Sequence, residues 1–299
     1  MKKLIILLVF FLNLSFSQKY DIYYLRGIER ISKGDYKGAI EEFDISIELN
    51  SANFLAYKNR AWAKLKLRDF NSAIEDYNKA IELNPDDDEI YINRGIIKSS
   101  LNDIKSAIDD YNKAIQINPK NAIAYNNRGN EKLKLGDLDS ALKDFDKAIE
   151  LNEDYSFAYR NRADVKIKLG DYKSAIEDCN RAIKLGNYSA YNSRGLAKSY
   201  LGDIKGAIKD YDIAIEYNPE MSIFYYNRGN AKAKLGYYSD ALIDYDTAIK
   251  LYPEDYQVYY ARALSKIIIG DKEGGCIDFS KAGELGYLKA YEAIKKYCK

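Results

Sequence analysis

The chain contains no histidine. That removes the commonest general base near neutral pH and the commonest zinc ligand together. Cysteine occurs three times, at Cys179, Cys276 and Cys298, and no two stand at metal-ligand spacing. A zinc site and a Cys–His nucleophile are therefore not expected. Neither a glycine-rich phosphate loop nor a Gly-x-Ser-x-Gly elbow occurs. No catalytic residue, metal ligand or cofactor site is assigned. Charge of either sign is not in excess, with Lys+Arg at 46 and Asp+Glu at 45. Without a basic surplus to neutralise phosphates, nucleic-acid binding is not expected. Proline is scarce, with 4 copies in 299 residues.

What is present describes a folded chain. Hydrophobic residues make up 47% and charged residues 30%. At the N-terminus, Lys2 and Lys3 precede an apolar run from Leu4 to Leu14, and Ser15-Phe16-Ser17 follows it. This order predicts a signal peptide over residues 1–17, cut between Ser17 and Gln18. The expectation is an exported protein, periplasmic or secreted, with no stable membrane insertion after cleavage. A short membrane anchor is the alternative, although the run is short for a span. No cysteine follows the run to accept a lipid.

The rest of the chain repeats. Tyr-x-x-Arg recurs with its Arg at 26, 60, 94, 128, 162, 194, 228 and 262, a period of 34 residues broken once by a step of 32. This predicts eight units, 20–53, 54–87, 88–121, 122–155, 156–187, 188–221, 222–255 and 256–287, within the span 18–287. Each unit reads as two helices. A turn such as Leu135-Gly136-Asp137 separates them, with Gly ending one helix and Asp starting the next. Pro85, Pro119, Pro219 and Pro253 all stand just beyond the second helix, where no backbone donor is needed. Gly27, Gly95, Gly129, Gly195 and Gly229 recur inside the first helix. A mid-helix Gly costs about 1 kcal/mol relative to Ala, so its return implies close helix approach. Ala39, Ala73, Ala107, Ala141, Ala175, Ala207 and Ala241 are the expected facing residues. Tyr287, Ala290, Tyr291, Ile294 and Tyr297 lie at helical spacing and predict a capping helix over 288–299.

The period, with Tyr125, Gly129, Gly136, Ala141, Phe145 and Ala148 in one unit, resembles the tetratricopeptide repeat family over roughly residues 20–287. The resemblance implies an all-α fold, a right-handed α-solenoid (superhelix) of stacked antiparallel helix pairs. It also implies a concave face lined by the first helices, binding of proteins or peptides there, and no catalytic activity. The chain departs from the family in two rows. Arg stands where the family usually has Leu, and Lys64, Lys98, Lys132, Lys166, Lys198, Lys232 and Lys266 stand where it often has an aromatic. Carboxylates at Glu42, Asp76, Asp110, Asp144, Asp178, Asp210, Asp244 and Asp278 match them on the second helices. The favoured reading is an internal ion ladder; an anion-binding track is the other.

The expected partner surface is Asn-rich. Asn59, Asn93, Asn127, Asn161 and Asn227 immediately precede the Arg, and Asn126, Asn130, Asn192 and Asn230 lie beside them. An amide donates and accepts, which suits an extended peptide backbone. Bonding between neighbouring repeats is the alternative. Lys58, Trp62, Arg160, Asp164 and Tyr226 complete the surface. The Lys/Asn/Arg clamp by which some family members hold chaperone termini finds no consecutive match. Cys276 and Cys298 are either a disulfide tying the cap to the last repeat or two buried thiols. The function expected is a non-enzymatic binding scaffold of the periplasm or cell envelope. A structural component of an envelope or secretion assembly is the alternative, and a glycan-binding or glycan-cleaving protein a remote one. Oligomeric state is not legible.

Overall fold

The computed structural model describes residues 16–299, with side chains from residue 21 onward. Of the expected signal peptide, residues 1–15 lie outside the described residues. The expected cleavage point, Ser17–Gln18, falls in the first turn of the first described helix. No helix among the described residues is long and apolar enough to cross a membrane.

The fold is all-α, and the described residues form seventeen helices in antiparallel pairs, as in an α-solenoid. They fall into two compact units, one ending at Leu151 and the other running from Asn152 to Lys299. The first unit holds α1 (Phe16–Ser32), α2 (Tyr36–Leu49), α3 (Phe54–Lys66), α4 (Phe70–Leu83), α5 (Asp88–Ser100), α6 (Ile104–Ile117), α7 (Ala122–Lys134) and α8 (Leu138–Leu151). The second holds α9 (Ser156–Leu169), α10 (Tyr172–Lys184), α11 (Ala190–Tyr200), α12 (Ile204–Tyr217), α13 (Ser222–Lys234), α14 (Tyr238–Leu251), α15 (Tyr256–Ile268), α16 (Lys272–Glu284) and α17 (Lys289–Tyr297). The short fifth repeat does not mark the division. Ala163, Cys179, Ala182, Ala190 and Ala197 form one buried cluster across its shortened link.

Local chemistry sets the helix ends. Asp35, Asp69, Asp103, Asp171, Asp203 and Asp271 each accept from the backbone N–H three residues on, which satisfies an otherwise orphaned donor. At the other end, Asn84, Asn118 and Asn218 leave the helix just before Pro85, Pro119 and Pro219, which exclude helical backbone at the preceding residue. Between paired helices the turn needs a left-handed residue. Gly136 supplies it at φ 81°, but Arg68 adopts φ 61° in the same place. A side chain there costs roughly 1 kcal/mol. Arg68→Gly is therefore expected to raise stability by about 0.5–1 kcal/mol, read as a higher urea midpoint at unchanged slope.

The helix interface differs from the sequence expectation in one respect. The small residues of the first helix meet an aromatic ring of the second before its alanine, although the alanine backbone is also in reach, as Ala207 O is at Gly195. A Cβ built on Gly95, Gly129 or Gly229 would lie 2.6–2.8 Å from the ring of Tyr111, Phe145 or Tyr245. Each ring sits one helical turn beyond the expected alanine, and each is fully buried. The alanines are buried as well, within the same clusters.

The ion ladder is present and is structural. Arg128 donates from Nε and Nη2 to both oxygens of Asp144, at 2.9 and 2.6 Å, and Lys132 adds a third bond at 2.8 Å. Arg94, Arg194, Arg228 and Arg262 do the same with Asp110, Asp210, Asp244 and Asp278. The third nitrogen of these arginines reaches back to the preceding repeat, as Arg94 to Asn78 at 2.6 Å and Arg262 to Asp246 at 2.6 Å. The Tyr of each Tyr-x-x-Arg lies under its arginine, with guanidinium-to-ring distances of 4.9–5.6 Å. The first repeat departs. Glu42 is held by Arg30 at 3.3 Å, and Arg26 makes no ion pair among the described residues.

Candidate functional site

The first helices carry the residues expected to meet a partner, and most of them are occupied within the fold. In the first unit, Lys58 is paired with Asp87 at 2.8 Å and Glu89 at 2.6 Å. Asn59 donates to Leu55 O at 2.8 Å and to the Tyr24 hydroxyl of the preceding repeat at 3.3 Å. Trp62 packs edge-on against Tyr36 at 5.7 Å and lies under Lys66. Asn126 is 4% exposed and donates to Asn127. Asn93, Asn127 and Asn130 are half-buried.

The second unit is similar along α9. Arg160 donates to Asn161 Oδ1 at 2.8 Å and faces Asp164 at 3.7 Å. Asp164 accepts from the Ser193 hydroxyl, yet burial pushes its carboxyl above the usual carboxylate range against the pull of Arg160. Asn161 is 3% exposed. Buried amides such as Asn126 and Asn161 present nothing to a partner. Further along, Asn227 donates to Asn192 at 2.8 Å, which joins two repeats. The Tyr245 hydroxyl donates to Asn230 Oδ1 at 2.8 Å. Burial raises the Tyr226 hydroxyl, while Asn230 lowers it.

One opening of this unit lies one turn further on. A cavity of about 410 Å³ is bounded by the C-terminal halves of α11, α13 and α15 and by residues of α12 and α14. Asn227 and Asn230 form part of its wall. Tyr200, Lys234, Tyr238, Leu264 and Ile268 form the rest of its rim. Tyr200 and Ile268 are more than half exposed. Tyr200 stacks on Tyr172 at 4.9 Å, and the Lys234 ammonium lies 5.7 Å from its ring. Solvent-facing aromatic and aliphatic groups around a concave opening are a common basis for peptide contact.

These rim residues were missed because the sequence reading followed the row beside the Arg. A signal existed six residues later. There the repeats carry Lys66, Ser100, Lys134 and Lys168, then Tyr200, Lys234 and Ile268. Two bulky apolar residues in a row otherwise polar mark the place.

At the C-terminal end, Cys276 and Cys298 form a disulfide, with Cα atoms 5.8 Å apart. It ties the end of α17 to α16, whose Phe279 stacks with Tyr297. Cys179 is a buried free thiol, and burial raises its pKa. No group of three or more metal-ligating side chains occurs among the described residues.

Family descriptions of the tetratricopeptide repeat match residues 54–87, 122–155, 158–185 and 192–256, and a TPR repeat description matches 97–133. No curated protein matches the chain in sequence. Among solved structures, a chain of the APC/C hetero-tetramer Cut9–Hcn1 is 17% identical with a TM-score of 0.73, covering 88% of this chain and 53% of its own. The chain thus spans about half the length of that relative. A tetratricopeptide repeat protein from Parabacteroides merdae is 21% identical with a TM-score of 0.57, over 94% of this chain and 97% of its own. PilW, a type IV pilus biogenesis factor, is 20% identical with a TM-score of 0.62, over 69% of this chain and 97% of its own. At these identities the likeness is one of fold.

Proposed function

Because the chain belongs to the tetratricopeptide repeat family, we propose that it is a non-enzymatic scaffold that binds an extended segment of a partner protein. The binding place is the groove over α11, α13 and α15. The observation that supports this is the cavity rimmed by Tyr200 and Ile268, where large apolar groups face solvent in a row that is otherwise polar. The Arg ladder is not part of this site, since its arginines are consumed by buried carboxylates. Export to the periplasm or beyond is part of the same reading and rests on the Lys2-to-Ser17 pattern.

A photo-crosslinking residue placed at position 200 is expected to capture a partner, and one at the exposed Ile243 on α14 is not. The double substitution Tyr200→Ala with Ile268→Ala should weaken capture at least ten-fold, since groove anchors dominate such interfaces. Capture that survives the double substitution but disappears when α17 is deleted would instead favour a structural role in an assembly.

A further inference from the structure

The same local arrangement occurs once in each unit, and only one of the two is complete. In the first unit, Ser99 on α5 donates to Glu131 Oε1 on α7 at 2.7 Å. Lys134 Nζ lies 2.9 and 3.1 Å from the two Glu131 oxygens and 2.8 Å from Ser99 Oγ. Glu131 is 3% exposed, so its carboxylate is held in a closed Lys–Ser receptor. In the second unit, Ser199 on α11 and Lys234 on α13 take the corresponding places. Lys234 Nζ donates to Ser199 Oγ at 3.0 Å. The residue matching Glu131 is Ala231.

The consequence is that no carboxylate of the chain closes this pair in the second unit. Among the described residues Lys234 makes no ion pair, and the Ser199 hydroxyl accepts from Lys234 without an acceptor for its own proton. Ser199 is 9% exposed. Both residues line the groove cavity. Tyr211 lines it too, at the place where Tyr111 feels the charge of Glu131 in the first unit.

Resting on the groove reading above, we propose that Ser199 and Lys234 receive a side-chain carboxylate of the bound peptide, in the position that Glu131 fills in the first unit. The ligand is an extended peptide with Glu or Asp next to a bulky apolar residue. The carboxylate accepts from Lys234 Nζ and Ser199 Oγ, and the apolar neighbour packs on Tyr200, Leu264 and Ile268. The template is a glutamate side chain, which is why a side chain rather than a chain terminus is the source. A single cation with apolar flanks is a poor receptor for a multiply charged phosphate and a good one for a carboxylate.

The test uses fluorescent peptides of alternating glutamate and phenylalanine, blocked at both ends, and their glutamine counterparts, with binding read by anisotropy. The wild-type chain should bind the glutamate peptide roughly ten-fold tighter than the glutamine one. Lys234→Gln should abolish that preference. Ala231→Glu should abolish it too while leaving the thermal midpoint intact, because Glu131 shows that the fold accepts a glutamate there. Equal binding of both peptides by the wild type, with both weakened by Tyr200→Ala, would overturn the carboxylate receptor and leave the groove standing. Binding indifferent to Tyr200→Ala would sink the groove reading as well. A glutamine peptide with a free C-terminus that binds as tightly as the glutamate peptide would overturn the side-chain assignment.

Discussion

Asp144→Ala is expected to destabilise the first unit by about 3 kcal/mol. Asp144 is 4% exposed and accepts three charged hydrogen bonds, two from Arg128 and one from Lys132. Both cations are about four-fifths buried. Removing the carboxylate leaves them with a single acceptor, Asn112 on α6, which Arg128 reaches at 2.8 Å. The cost comes from stranding two desolvated charges rather than from losing one favourable pair. Asp144→Asn keeps an oxygen for Arg128 and should cost about half as much. Urea unfolding followed by helical circular dichroism reads the difference. A loss below about 1 kcal/mol for Asp144→Ala would mean that water reaches the ladder freely.

Cys298→Ser is expected to lower the stability of the C-terminal helix pair and its cap by about 3 kcal/mol, from the loop-closure entropy of a 22-residue separation. Without the bond, α17 is held on the last repeat by Ala293, Ile294 and Tyr297 packed against Ala263 and Phe279. A nine-residue helix buries too little surface to stay docked on that basis. Limited proteolysis should cut the variant, and the reduced wild type, after Tyr297 or Lys295 well before any other site. Equal protease resistance with and without the bond would show that packing alone holds the cap.

The two predictions concern opposite degrees of legibility. The ladder could be read from the chain because its geometry is translational. An Arg and a carboxylate sixteen residues apart recur in step, and a helical hairpin of fixed length brings that spacing together every time. The disulfide could only be offered as one of two states, because the contact depends on how α17 turns back on α16. The facing of small residues was legible only in part, for a related reason. The sequence shows Gly129 and Ala141 both small, but the crossing of α7 and α8 puts the Phe145 ring over the glycine.

The binding surface shows the sharpest contrast. Asn recurs beside the Arg, and recurrence alone does not say which way a side chain points. The fold buries Asn126 and Asn161, bonds Asn59 to Tyr24 and Asn227 to Asn192, and closes Lys58 with Asp87. The period, the helix pairs, the turns, the caps and the ladder follow from the sequence by itself, because each depends on residues close along the chain or on one repeated offset. Which surface stays open was decided only by the tertiary structure. Ser199, Lys234 and Ala231 lie on two helices, and the missing carboxylate there is visible only when Ser99, Lys134 and Glu131 are seen to close the same arrangement in space.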